Sequence, residues 1–433
     1  MLETLRNAFR IKDIRNKLLF TFAMLVVVRI GSQLPIPGVN RLYFQQWFQQ
    51  HSGDAFNFFD AFTGGSFTSM SIFALSITPY ITSSIIMQLL TIAIPKLEEM
   101  HKEEDGRKKI VAITRYVTVA LALIESIAMA VGFGRQGLLL DYNFVSVAMT
   151  VVTMTAGSAF LMWIGERITE NGVGNGISIV LLINIISRLP QDIGTLFQRF
   201  VQGKSVAKAG LAIVIILAVI LFTVVFVIVL QNGERRIPVQ YAKKMQGRKM
   251  VGGQSTHIPL KVNTAGVIPV IFASSLMQFP IVIATFIGKG QDSTILAVLN
   301  SGNWCNPQKP AYSVGLLVYI LLIVFFAYFY TSITFNPMEI ANNMKKQGGF
   351  VPGIRPGKPT TEYLTRILNY IIFIGAIGLT VVSVIPIIFS GVFGAHVSFG
   401  GTSLIIIVGV ILETLKQVES QMLVRSYKGF LND

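Results

Sequence analysis

MSIFALSITPYITSSIIMQLLTIAI, residues 70–94, is long enough to cross a bilayer, yet it carries Ser71, Ser76, Thr78, Pro79, Thr82, Ser83, Ser84, Gln88 and Thr91. A polar group without a partner is costly in lipid. A helix of this composition is therefore expected to line water or a moving interface. Immediately upstream, DAFNFFDAFTGGSFTS (54–69) is too short and too glycine-rich to span alone, but it holds Phe56, Phe58, Phe59, Phe62 and Phe67 around Gly64 and Gly65. It reads as a half-inserted element folded into a cavity, which membranes tolerate only where protein or water covers the backbone.

The rest of the chain agrees with a membrane setting. Of 433 residues, 52% are apolar and 13% charged, and no charge-rich soluble domain interrupts them. A hydrocarbon core of about 30 Å needs about 20 apolar residues per helix. Ten stretches meet or approach that length: 18–34, 70–94, 111–131, 145–164, 177–197, 211–230, 264–287, 312–332, 367–388 and 402–419. The fifth is the weakest, broken by Arg188 and Pro190. The charged opening LRNAFRIKDIRNK (5–17) leads into a full-length apolar run with no small-residue cleavage site after it, so it is expected to lie along the membrane surface rather than to be a removable signal.

If the chain crosses at each stretch, 27 of its 36 Lys and Arg fall on the side of the N-terminus and 8 on the other, with Arg29 inside the first stretch. The positive-inside rule then makes that side, and both termini, cytoplasmic. The net charge of +15 also suits anionic lipid. Five crossings followed by five more start from opposite sides, which is the arithmetic of an inverted repeat. The halves are 1–205 and 206–433, hinged at QRFVQGKSVAKAG (198–210) on the outer face.

Two long cytoplasmic loops carry shape-setting residues. In 231–263 the alternation from Arg236 to Tyr241 predicts a short strand and Gly252-Gly253 a turn, so the loop is expected to project as a hairpin. In 333–366 a short helix should follow Asn336-Pro337, then a rigid tip around Pro352-Gly353 and Pro356-Gly357, with the next helix restarting after Pro359 under a Thr360 or Thr361 cap. Flexible tethers seldom invest so much Pro and Gly in one shape, which favours a docking surface over a solvated basic loop.

Several chemistries lack their residues. QGKS (202–205) has Gln198 where a phosphate-binding loop needs its first glycine. A single cysteine, Cys305, and the scattered His51, His101, His257 and His396 leave no disulfide and no metal-ligand spacing. No cofactor is called for. Carboxylates within the apolar stretches are read as nearly absent, with Glu125 and Glu413 the exceptions, which weakens a proton-coupled transporter. An inverted-repeat transporter would bring polar groups together at mid-depth, where aliphatics stand here. An intramembrane enzyme would need a Ser/His, Asp/Asp or HExxH arrangement within its spans, and none is present.

Five strings, in order, give the chain a family likeness: SIFALSITPYITSSIIMQLL (71–90), GERITENGVGNGISI (165–179), STHIPLKVNTAGVIPVIFASS (255–275), GGFVPGIRPGKPT (348–360) and GGTSLIIIVGVILET (400–414). Together they resemble the SecY family of protein-conducting channels, in its bacterial form. The resemblance implies an all-α polytopic membrane protein of ten transmembrane helices, in two pseudo-symmetric five-helix halves that form a clamshell around an hourglass pore. It also implies that the chain is not an enzyme, and that it passes unfolded secretory polypeptides across the plasma membrane and releases transmembrane segments sideways into lipid.

The same resemblance assigns residues. A pore ring falls on Ile77, Ile81, Ile177, Leu181, Ile271 and Ile406, and a plug on Phe58, Phe59, Phe62, Gly64 and Gly65. The lateral gate sets Thr82 opposite Phe279, with Ser275 beside them and Gln88, Gln278 and Glu125 as polar clasps. Glu125 also admits a plain reading as a hydrogen-bonded packing residue. Arg235, Arg236 and Arg355 match positions that engage the motor ATPase SecA or the ribosome. RNA phosphates and an acidic cleft both suit the guanidinium fork. Implied partners are SecE, SecG, SecA, the ribosome, signal sequences with their nascent polypeptides, and anionic lipid.

Overall fold

The computed structural model describes residues 9–51, 60, 62–202, 206–241, 244–246, 249–251, 255–287, 294–305, 310–393 and 401–429. Each of the ten apolar stretches overlaps a helix: α1 (Lys12–Gly31), α3 (Thr78–Ala93), α5 (Glu104–Arg135), α6 (Phe144–Asn171), α7 (Gly176–Phe200), α8 (Val206–Asn232), α9 (Ile268–Ile287), α10 (Val314–Thr334), α12 (Lys358–Phe393) and α13 (Gly401–Gly429). The shorter α2 (Arg41–His51), α4 (Pro95–Lys102) and α11 (Pro337–Lys346) lie between them. Among the described residues six helices, α5, α6, α7, α8, α10 and α12, are long and apolar enough to cross a membrane. The chain is a mostly helical, multi-pass membrane protein.

The stretch 70–94 is helical only from Thr78, which corrects the expectation of one continuous span. Pro79 has no N–H and a helix-ready φ, so it suits the first turn, where its missing donor costs no hydrogen bond. Residues 71–77 instead run as turns, with positive φ at Met70 and Ser76. Their backbone is held by protein: Ile36 N–H donates to the Met70 carbonyl at 2.9 Å and Ile72 N–H to the Leu34 carbonyl at 3.0 Å. At its other end α3 bends by 109° into α4 at Pro95.

The amino-terminal charged stretch also differs from expectation. Lys12–Lys17 belong to the same helix as the first apolar run, after a bend at Ile11.

The two long loops, 231–263 and 333–366, are strand-forming, so the fold is not purely α. β1 (Glu234–Tyr241) pairs antiparallel with β4 (Ser255–Lys261) in the register Ile237 to Ile258, giving the predicted hairpin, and the short β2 (Lys244–Gln246) and β3 (Lys249–Val251) between them pair with each other in a separate two-stranded sheet. The predicted Gly252-Gly253 turn lies outside the described residues. The second loop adds β5 (Gly349–Phe350) to the other edge of β1, so the sheet order is β4-β1-β5 and the two loops form one unit. Ile237, Val239, Leu260, Met344, Val351 and Leu364 are its core. As expected, Asn336 caps α11, its side-chain oxygen accepting from the Met338 and Glu339 amides at 3.1 and 3.4 Å. α12 starts earlier than expected, at Lys358. The Thr360 hydroxyl is therefore no cap, and it donates back to the Arg355 carbonyl at 2.8 Å.

Candidate functional site: an aliphatic ring beneath a polar-anchored loop

The six ring positions come together. Ile77, Leu181 and Ile406 are buried in one apolar cluster, and Ile81, Ile177 and Ile271 pack against it. They arrive from α3 and its entry, α7, α9 and α13, so no single stretch of sequence contains the site. Phe62 belongs to the same cluster, which seats the Phe/Gly loop directly on the aliphatics. Gly64 and Gly65 lie in the turn that follows, at φ +66° and +83°. Gly64 also needs to lack a side chain, because a Cβ there would stand 2.8 Å from the Asn184 backbone. Phe58 and Phe59 lie outside the described residues.

What holds the loop is polar, and sequence reading missed it. Along α7 the residues Ile177, Leu181, Asn184, Arg188 and Asp192 follow a three-to-four spacing and so share one face. The first two join the aliphatic cluster and the next two reach the loop. Asn184 Nδ2 donates to the Phe62 carbonyl at 3.3 Å and to Ser76 Oγ at 3.1 Å. The Gly64 carbonyl accepts from Ser187 Oγ and from Arg29 Nη1, each at 3.4 Å. Arg188 pairs with Asp60 of the loop and, at 3.9 Å, with Asp192 one turn further along α7. Asp60 and Asp192, the latter inside the fifth apolar stretch, thus join Glu125 and Glu413 as carboxylates within the apolar part of the protein.

At the expected gate, two hydroxyls of α3 are satisfied within their own helix. Thr82 donates to the Thr78 carbonyl at 3.1 Å and Thr91 to that of Met87 at 2.7 Å. Ser83 reaches the Thr114 carbonyl of α5 at 2.8 Å. Gln88 accepts from the Tyr330 hydroxyl of α10, the one side-chain bond between α3 and the second half among the described residues. Glu125 sits on α5, and its buried Oε2 has no hydrogen-bond partner among the described residues. The structure does not join it to Gln88. α5 packs against α9, which carries Ser275, Gln278 and Phe279; Ser275 is exposed.

The three arginines of the long loops are not among the residues of the aliphatic cluster. Arg235 and Arg236 are exposed on β1, and Arg236 is forked onto Glu234 Oε1 at 2.7 Å from Nε and 2.6 Å from Nη2. Arg355 is exposed at the tip between Gly353 and Gly357, whose φ of +83° and +104° only glycine adopts readily. The GERITENG run is a brace: Glu166 pairs with Arg115 of α5 at 2.7 Å, and Asn175 caps α7 through the Ile177 and Ser178 amides.

Comparison with known proteins places these features in context. A family model described as SecY matches residues 71–415. The protein translocase subunit SecY of Halalkalibacterium halodurans is 45% identical over 440 residues, covering 100% of both chains. Among solved structures, a SecY protein whose plug domain is described as stabilising the closed state of the translocation channel and maintaining a membrane seal superposes with a TM-score of 0.62 at 16% identity, over 94% of this chain and 92% of that one. Sec61 in the canine ribosome-channel complex from the endoplasmic reticulum gives 0.57 at 14%, over 94% and 92%.

Proposed function

The chain belongs to the SecY family, and from that membership we propose that it is the protein-conducting subunit of a bacterial translocase, passing unfolded secretory polypeptides across the plasma membrane and releasing transmembrane segments into lipid. The observation that carries this reading is the gathering of Ile77, Ile81, Ile177, Leu181, Ile271 and Ile406 into one aliphatic cluster capped by Phe62. A ring of branched aliphatics dewets when empty and blocks ions. It also lacks the hydrogen-bonding groups that would hold a peptide in transit.

In this reading ten transmembrane helices form two halves, 1–205 and 206–433, that close as a clamshell around an hourglass pore, with both termini in the cytoplasm. Loop 54–69 is the plug. The family is one of translocation channels, so energy comes from a partner: the motor ATPase SecA or a ribosome docked on the unit that carries Arg235, Arg236 and Arg355. SecE and SecG are the companion subunits, and anionic lipid meets the basic cytoplasmic face.

The lateral gate runs where α3 and α5 face α9 and α10. It is built for parting: the Thr82 and Thr91 hydroxyls, satisfied within α3, leave few bonds to break, and Gln88, which accepts from the Tyr330 hydroxyl, is the clasp beside Ser275, Gln278, Phe279 and Glu125. Cysteines at Thr82 and Phe279, with Cys305 replaced, are expected to oxidise to a disulfide and stop translocation until reduced. A readily formed cross-link that leaves secretion at the parent rate would contradict the gate.

A further inference from the structure

We propose that the buried Asp60–Arg188 ion pair is the latch that keeps the plug seated, with Asp192 as the counter-ion that holds Arg188 after the plug has left. This rests on the reading of loop 54–69 as a plug. Asn184 and Ser187 reach the Phe62 and Gly64 carbonyls of the loop through neutral, individually weak bonds, and Arg29 reaches the Gly64 carbonyl at a long 3.4 Å; the ion pair is the contact between opposite charges that joins loop and wall among the described residues. Its surroundings exclude water. Asp60 is 1% exposed and Arg188 15%, so neutralising Arg188 strands a buried carboxylate, and neutralising Asp60 removes the attraction that holds the loop to the wall.

The carboxylate of Asp60 has two separate tasks. Oδ1 accepts from the Thr68 amide at 2.9 Å and from the Thr68 hydroxyl at 2.6 Å, closing the loop on itself, while Oδ2 faces Arg188. The loop therefore travels as a folded unit when Arg188 lets go, and on reaching the outer aqueous funnel Asp60 regains hydration. Arg188 is not left bare, because Asp192 already lies 3.9 Å from its Nε. Both end states are compensated, and the uncompensated arrangement lies between them. That makes the plug two-position rather than continuously loose. The position of Arg188 on the same face of α7 as Ile177 and Leu181 ties the latch to the ring: a polypeptide that spreads the ring by displacing α7 also carries Arg188 away from Asp60.

The test is resting ion conductance of the full chain in planar bilayers, for the parent, Asp60→Asn, Arg188→Gln, the double variant, Arg188→Lys and the 57–65 deletion. Asp60→Asn preserves an oxygen for Thr68, so the loop keeps its fold and only the ion pair is lost. Each single neutralisation is expected to raise conductance at least about tenfold, and the double variant no more than the larger single, since the two groups act as one contact. Arg188→Lys, which keeps the cation, is expected to fall between Arg188→Gln and the parent. Parental conductance in both singles beside a leaking deletion overturns the latch alone, as do single effects that multiply in the double variant. A deletion as tight as the parent overturns the plug reading, and the latch with it.

Discussion

Arg355→Glu is expected to cripple motor-driven export while leaving the channel folded and shut. The side chain stands exposed on a tip whose path is fixed by Pro352, Gly353, Pro356 and Gly357, and the tip closes on itself through the Thr360 hydroxyl and the Arg355 carbonyl. A cation presented this way meets a partner without first reorganising. Loss of one charge-assisted contact at a desolvated interface costs about 2–5 kcal/mol, which is more than about tenfold in rate or affinity. Arg355→Lys is expected to be impaired as well, because a point charge does not reproduce a planar fork. Arg236 provides the internal comparison. Its fork is already spent on Glu234, so Arg236→Gln is expected to cost less than Arg355→Gln. Reconstituted vesicles supplied with motor and ATP read both. Export by Arg355→Glu at the parent rate would reduce the tip to a solvated connection.

The second large effect is on the resting seal. Deletion of 57–65 removes Asp60, Phe62 and Gly64 together, hence both the apolar cap on the ring and the groups anchored by α7. Resting conductance is expected to rise, and weak signal sequences to be accepted more readily, because one of two seals is gone. Ile81→Gly with Ile406→Gly attacks the other seal. Two isoleucine side chains contribute about 3–6 kcal/mol of apolar burial to a closed constriction, which is more than about a hundredfold in its favour. The glycine pair added to the deletion is expected to leak more than the deletion alone. An equal or smaller leak would mean that the cluster does not seal the path.

Hydropathy made the helical layout legible, since each apolar run carries its own signal and needs no distant partner. It failed where local chemistry outweighed apolar character. Thr78-Pro79 marks a helix start, and the eight residues before it follow Ser76 and Met70 into turns stabilised by Leu34, Ile36 and Asn184, which are remote in sequence. The gathering of the six aliphatics into one cluster was legible only through family likeness, since each isoleucine in isolation reads as an ordinary packing residue. The latch was not legible at all, because Asp60 and Arg188 are 128 positions apart and each has an ordinary local reading, one as a loop residue and one as a break in the fifth apolar run. Spacing still held a clue. Leu181, Asn184, Arg188 and Asp192 on one face of a membrane helix put polar groups in line with the ring, and polar residues at such depth ask for partners. Likewise the pairing of β1 with β5 joins two loops separated by three helices, which no local pattern encodes.

The central claim is that a polypeptide threads the aliphatic ring. A secretory chain stalled midway by a folded carboxy-terminal tag, and carrying one cysteine in its trapped segment, tests it by disulfide formation with single cysteines placed at Ile81, Ile406 or Leu217 in a background without Cys305. Leu217 is the control, 61% exposed on α8 and not among the residues of the ring cluster. The account predicts adducts at Ile81 and Ile406 that depend on the motor and on ATP, with none at Leu217. Adducts at Leu217 equal to those at the ring, or none at the ring while export of the untagged chain proceeds, would contradict it.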